Sequence, residues 1–259
     1  MNNIKNHLWL ISPLYLKEVS EQTSKKLEAK TDGDSFKPVF SEKVNGVGVV
    51  YISGIFYKGA NALLESYGYF DPNKVKHEIE NLINDPTITH IILKINSPGG
   101  AYTGVPELSD YLMNARKIKP IMAYTDTLLA SAAYWVAVST LGIYASKSSD
   151  VGSIGVYTTV YDTSKAYEQM GVSVQVFKGG KFKAAGIDGT SLNDEQRDEI
   201  QKEIDLIYEQ FKSYVLLNRG NVMDESLQGQ TMLAIKARQA NLIDSVASLE
   251  QLIEDIQKI

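Results

Sequence analysis

Apolar positions along the chain fall into short runs that alternate between two spacings. Residues 47–54, Val-Gly-Val-Val-Tyr-Ile-Ser-Gly, read as a buried strand, and order is expected to begin near Gly46. Between residues 73 and 84, Val75, Ile79, Leu82 and Ile83 recur at helical spacing, and Asp85-Pro86 ends that helix. Residues 87–96 are strand-like, and Asn96-Ser97-Pro98-Gly99-Gly100 reads as a turn. Helical spacing returns over residues 105–116, and a further strand is expected over residues 120–124. Strands alternating with helices imply βαβ units and a mainly parallel sheet, an α/β fold.

Further along, Ile200, Ile204, Ile207, Phe211 and Val215 mark the clearest helix, over residues 193–219. Asp194 and Glu195 suit its positive end, and Gly220 closes it. Leu252, Ile253 and Ile256 predict a last packed helix over residues 249–259, so the C-terminal part is helical. Residues 127–146 carry no charge over a length that approaches a membrane span. Ser131, Ser139, Thr140 and Gly142 interrupt that stretch, and it changes midway from Ala-rich to β-branched, so a buried helix followed by a buried strand is expected. Ahead of the first strand, residues 7–23 suit a docking helix or arm. Residues 24–43, rich in Lys, Asp, Ser and Gly, suit a linker. The expected organisation is an arm and linker at 1–45 and one domain at 46–259.

Composition narrows the chemistry. With no cysteine among 259 residues, disulfides, thiol catalysis and cysteine-bound zinc are excluded. His7, His77 and His90 lack the spacing of metal ligands, and no metal or other cofactor is expected. A net charge of −5 argues against nucleic acid or an anionic membrane surface as partner. The N-terminal apolar run is too short for a signal peptide, and no membrane span is expected, which points to the cytoplasm.

Three segments carry candidate chemistry. In Asn96-Ser97-Pro98-Gly99-Gly100, two glycines let the backbone bring an unshielded N–H against a ligand, as an oxyanion hole requires. Taken alone, a Pro-Gly-Gly turn is equally an ordinary connector. Ser131 sits among small residues, Ala130-Ser131-Ala132-Ala133, at an expected helix start, where backbone donors are at hand. A hydroxyl bonding backbone inside a buried helix fits the same pattern. Residues 174–186 read as a strand entering a Gly-rich bend with Lys178, Lys181 and Lys183 among apolar groups. A lysine acts as a general base only when neutral, so its ammonium must be destabilised by burial, by on the order of 4 kcal/mol to work near pH 7. Phe182, Ala184 and Ala185 are candidates for such surroundings, although a solvated surface lysine is the ordinary reading. A histidine triad is harder to assemble, because no histidine follows His90.

At these segments the chain resembles the signal peptide peptidase A / protease IV family of serine peptidases, within the superfamily of Clp protease and crotonase. The resemblance spans residues 46–245. Asn-Ser-Pro-Gly-Gly at 96–100, Ala-Ser-Ala-Ala-Tyr-Trp at 130–135, Val-Gly-Ser-Ile-Gly-Val at 151–156 and Lys-Gly-Gly-Lys-Phe-Lys at 178–183 follow the family's order. Residues 237–244, Ala-Arg-Gln-Ala-Asn-Leu-Ile-Asp, resemble its closing motif. The resemblance implies a spiral of ββα units in a single repeat. It makes Ser131 the nucleophile, Lys183 the general base, and Ser153 a hydroxyl that orients the lysine. The N–H groups of Gly100 and Ala132 become the oxyanion hole, supported by the turn at Gly99. One departure stands out: the family commonly has Ser-Gly-Gly where this chain has Ser-Ala-Ala, which keeps the donor N–H but adds bulk to the cleft.

Single-repeat members of that family draw the lysine from an adjoining protomer, so a homo-oligomeric ring with shared sites and a polypeptide substrate is expected. The opening Leu-Trp-Leu-Ile-Ser-Pro-Leu-Tyr-Leu resembles the short phage and prophage capsid assembly proteases, which process scaffold or head proteins within the host cell or prohead. Three other readings remain at this point: a cytoplasmic peptide-degrading peptidase, a crotonase-like acyl-CoA enzyme, and a catalytically silent assembly or scaffold protein.

Overall fold

The computed structural model describes residues 8–11 and 37–258. In chain order the first elements are β1 (Trp9–Ile11), β2 (Val39–Val44), β3 (Val47–Phe56), α1 (Ala62–Ser66) and β4 (Tyr69–Phe70). Then come α2 (Pro72–Ile83), β5 (His90–Ala101), α3 (Val105–Ala115), β6 (Ile121–Thr125), β7 (Leu128–Ala130) and α4 (Ala132–Val138). β8 (Ile143–Ala145), β9 (Asp150–Gly152), α5 (Ser164–Gln169) and α6 (Asp194–Arg219) follow. The chain closes with β10 (Thr231–Leu233), α7 (Ala234–Gln239), β11 (Ser245–Val246) and α8 (Leu249–Ile256).

β5 organises the molecule because it belongs to two sheets. Its first half pairs in parallel with β3 on one side and, at Ile91–Lys94, with β6 on the other. Beyond that, Ser97 pairs with Leu129 of β7, which runs into β9 and then β10. The change of sheet coincides with a register shift against β3 between Ser53 and Ile55. Pro98 lies in this irregular stretch. A proline has no N–H to give a ladder, so within a central strand it is tolerated only where the ladder is broken. The Asn-Ser-Pro-Gly-Gly segment expected as a turn is therefore the bent second half of a strand. The same switch recurs downstream, where β6 and β7 are separated only by Asp126-Thr127 and α4 follows. The result is an α/β fold of ββα units winding across a mainly parallel curled sheet.

α4 is buried over its whole length, and Trp135 stacks on Phe211 of α6 at 4.7 Å between ring centres. The uncharged 127–146 stretch is thus the expected helix, α4, and strand, β8, within the core, preceded by a short strand, β7, that the patterning did not indicate. Among the described residues no helix is long and apolar enough to cross a membrane. α6 begins at the Asn193 cap, whose side chain accepts from Gln196 N–H while Asn193 N–H donates to Gln196 Oε1. Ile207, Phe211 and Val215 of α6 are buried, whereas Ile200 and Ile204 are only half-buried because that end of the helix borders an open cavity.

Three expectations need correction. The sheet starts before Gly46, since β2 pairs with β3 along its whole length and β1 pairs with β5. The boundary expected at 45/46 cuts a two-residue hairpin in which Asn45 (φ 51°) and Gly46 (φ 80°) both take positive φ. That is the backbone which lets a tight turn match the twist of its strands. Of the expected arm and linker, residues 1–7 and 12–36 lie outside the described residues, as does Ile259 of the expected last helix. The strand expected from residue 174 does not form, because residues 172–178 find no pairing partner among the described residues.

Candidate active site

Ser131 lies at a sharp strand-to-helix turn between β7 and α4. Its backbone (φ 56°, ψ −119°) is in a region that residues with a Cβ rarely adopt. Such strain costs about 1–3 kcal/mol and persists only where the surroundings impose it. Here Ser131 N–H donates to Gly152 O at 2.8 Å, and Trp135 N–H donates to Ser131 O at 3.0 Å. Two bonds of about 0.5–1.5 kcal/mol each offset most of that cost. The turn aims the hydroxyl off the end of the strand. Its Oγ is buried, the residue being 1% exposed, and has no hydrogen-bond partner among the described residues. A buried hydroxyl without a partner is costly in a scaffold, and it is what an attacking group needs before its base and substrate arrive.

Around this hydroxyl the two glycines are distinguished by what they face. Gly99 N–H is taken by Ser97 Oγ at 3.1 Å, and that hydroxyl donates to Gly54 O at 2.6 Å. A Cβ added to Gly99 would overlap the Leu10 carbonyl oxygen and would itself lie 2.9 Å from Ala132 N and 3.0 Å from Ser131 Cβ. Gly99 (φ 103°) therefore permits three backbone groups to converge beside the serine. Gly100 packs so closely on Phe56 of β3 that no side chain fits there. The N–H of Ala132, in the first turn of α4, has no acceptor within its own helix.

The structure thus brings together Gly99, Gly100, Ser131 and Ala132. Ser153 stands one residue beyond Gly152, which holds the Ser131 amide. It too has positive φ (53°), fixed by its N–H donating to Gln230 O at 2.7 Å. Ser153 lines a cavity of about 380 Å³ with Ile11, Tyr157, Ile204, Asp205 and Tyr208. Burial pushes the Tyr157 hydroxyl above its ordinary pKa, and Tyr161 adds to the shift.

Lys183 is not brought to this cluster. Its side chain is exposed, and it forms no hydrogen bond to Ser131. The burial expected from Phe182, Ala184 and Ala185 does not occur within one chain: Phe182 is itself exposed and both alanines are half-buried. The reason is the missing strand, which leaves the whole stretch from Val160 to Ile187 with exposed apolar side chains, Phe177 at 92%.

Peptidase family S49 matches residues 114–258, more than half of the chain and inclusive of Ser131, Ser153 and Lys183. The chain belongs to this family. Among its relatives is a protein of Methanocaldococcus jannaschii that carries a protease name, 28% identical over 70% of this chain and 59% of its own. Another is capsid assembly protease C of Escherichia phage lambda, 26% identical over 66% of this chain and 39% of its own. The chain therefore spans less than two thirds of the length of these relatives. Among solved structures, the ClpP protease catalytic domain of Plasmodium falciparum aligns with a TM-score of 0.47 and 15% identity, over 79% of this chain and 86% of that one.

Reading the S49 chain from sequence missed Ser97, which occupies the spare glycine N–H, and the strand Trp9–Ile11, which lies against the cluster. Both carried a signal. Ser97 precedes the Pro-Gly-Gly, and Leu8-Trp9-Leu10-Ile11 is an unbroken apolar run long enough for a short strand.

Proposed function

We propose that this S49 chain is a serine endopeptidase in which Ser131 is the nucleophile and Lys183, supplied by a neighbouring protomer, is the general base. The observation that carries this reading is the strained, buried and unpartnered Ser131 hydroxyl at a strand-to-helix turn, with the Ala132 N–H beside it. Ser131 Oγ attacks a peptide carbonyl whose oxygen is received by the N–H groups of Gly100 and Ala132. The lysine takes the hydroxyl proton and passes it to the leaving amine, and water then resolves the acyl-enzyme. Ser153 orients the lysine from the wall of the cavity.

Delivery of the lysine from a neighbour is supported by two features of the single chain. The cavity beside Ser153 is open and of a size to admit a side chain on its loop. The Val160–Ile187 stretch leaves apolar groups in water that a second copy would cover, and that burial would bring the amine into the apolar surroundings a neutral lysine requires. Similarity to a phage capsid assembly protease supports a role in processing scaffold or head proteins, in the host cytoplasm or prohead.

A serine-directed fluorophosphonate probe tests the reading. Labelling of the assembled protein, lost in Ser131→Ala, is expected, with peptide turnover lost in Lys183→Ala. Equal labelling of wild type and Ser131→Ala would overturn it.

A further inference from the structure

β1 occupies the place that a substrate would take. It runs antiparallel to the end of β5, with Trp9 opposite Ala101, Leu10 opposite Gly100 and Ile11 opposite Gly99. On its other side Trp9 exchanges two hydrogen bonds with Tyr157, at 2.9 and 3.1 Å. β1 is thus a strand inserted between the two walls that flank Ser131. Tyr102 N–H donates to Leu8 O at 3.1 Å. Hydrogen-bonded pairs alternate along an antiparallel ladder, so Leu10 and Gly100 are the next such pair and Gly100 N–H points at the Leu10 carbonyl. That same carbonyl oxygen is the atom a Cβ on Gly99 would strike, beside Ala132 N and Ser131 Cβ. Leu10 O therefore faces the Gly100 N–H assigned to the oxyanion, and Ala132 N and Ser131 Cβ lie close to the same point beside Gly99.

The side chains agree with this placement. Leu10 is fully buried in the main core, while Trp9 and Ile11 turn to the opposite face and bury against Ile55, Tyr69 and Ala101. An extended apolar segment held by ladder bonds on both edges is how a peptide is presented by strand addition.

The geometry points to the Leu10–Ile11 peptide bond as a substrate of the enzyme's own site: the chain cuts itself there. This inference rests on the Ser131–Lys183 reading. In the single chain the bond is held ready but intact, because Lys183 is absent from the cluster. When assembly delivers the lysine, Ser131 Oγ forms a bond to the Leu10 carbonyl carbon and its proton passes to the Lys183 amine. The bond from that carbon to the Ile11 nitrogen breaks, and the nitrogen takes the proton to leave as a free amine. Water hydrolyses the resulting ester, which gives a Leu10 carboxylate and restores Ser131. The cleft is then free for other polypeptides, and the register assigns the residue ahead of the scissile bond to a deep apolar pocket.

Intact mass and N-terminal sequencing of the assembled, denatured protein test this. Wild type is expected to yield a new N-terminus at Ile11 and a fragment ending at Leu10, and Ser131→Ala prepared in parallel is expected to remain whole at that bond. Casein hydrolysis and fluorophosphonate labelling by the same wild-type preparation separate this inference from the reading beneath it. A wild type that labels and cuts casein yet keeps the Leu10–Ile11 bond overturns self-cleavage alone. A cut at Leu10–Ile11 in Ser131→Ala as well would assign it to another protease and overturn it equally. A preparation that neither labels nor cuts anything removes both.

Discussion

The region around Ser131 and the stretch from Tyr157 to Asn193 are built to opposite standards. The first is closed: β7, α4 and the end of β5 are buried, and the strained turn is held by backbone bonds to Gly152 and Trp135. The second carries little regular structure beyond α5 and exposes Val160, Tyr161, Met170, Phe177 and Ile187. One half of the proposed dyad is complete within a chain and the other is not. A nucleophile needs geometry fixed to a few tenths of an ångström, which a packed core supplies. A lysine general base needs burial, and the described residues leave Lys183 exposed.

The largest effect expected from breaking this contrast is at the serine itself. Ser131→Ala should reduce peptide hydrolysis by about 10⁴–10⁶-fold, while its melting temperature stays at or above wild type because an unpartnered buried hydroxyl is removed. A large loss of stability instead would make the serine structural.

Next in size is Phe211→Ala in α6, which removes the ring stacked on Trp135 behind the nucleophile turn. It should cost about 3–5 kcal/mol in denaturant unfolding. Tyr134→Phe should cost about 1–3 kcal/mol, because Tyr134 OH donates to Leu242 O at 2.8 Å in the core and that carbonyl would be left unpaired. Tyr134 also sets an alkaline limit. Burial, the dominant cause, pushes its phenol well above the ordinary value. Its neutral form therefore contributes stability that is fully present below about pH 10, where the unfolded phenol titrates. That contribution is lost progressively as pH rises toward the folded value. Stability measured from pH 9 to 11 should fall more steeply in wild type than in Tyr134→Phe, and equal slopes would count against this.

The smallest effect on the fold is expected in the open region. Phe177→Asp should change the stability of the isolated chain by less than about 0.5 kcal/mol, since the ring is 92% exposed. Sedimentation should nevertheless show a loss of assembly, and activity should fall with it. Unchanged assembly would mean that another surface joins the copies.

The same contrast explains what was legible in the sequence. The helices at 72–83, 105–115 and 194–219 and the buried α4–β8 pair follow from spacing alone, because their partners lie in the same chain. Val174 and Val176 show strand alternation equally well, but a strand exists only against a partner and none is present among the described residues. The Asn45-Gly46 dipeptide signalled a hairpin and was masked by the polar residues before it. Ser131, Gly99 and Gly100 were identifiable as residue types. That they meet depends on the irregular stretch at Pro98, which local propensity does not report. β1 was read as part of an arm because three residues carry too little periodicity to place a strand in a cleft.

Mixing two inactive variants measures the central claim most directly. Ser131→Ala retains the lysine and Lys183→Ala retains the serine. Co-assembled in equal amounts, they should recover about a quarter of wild-type peptidase activity if each site joins a serine from one protomer to a lysine from the next at random. Activity that stays at the level of either variant alone, in mixtures shown to co-assemble, would contradict a site shared between copies.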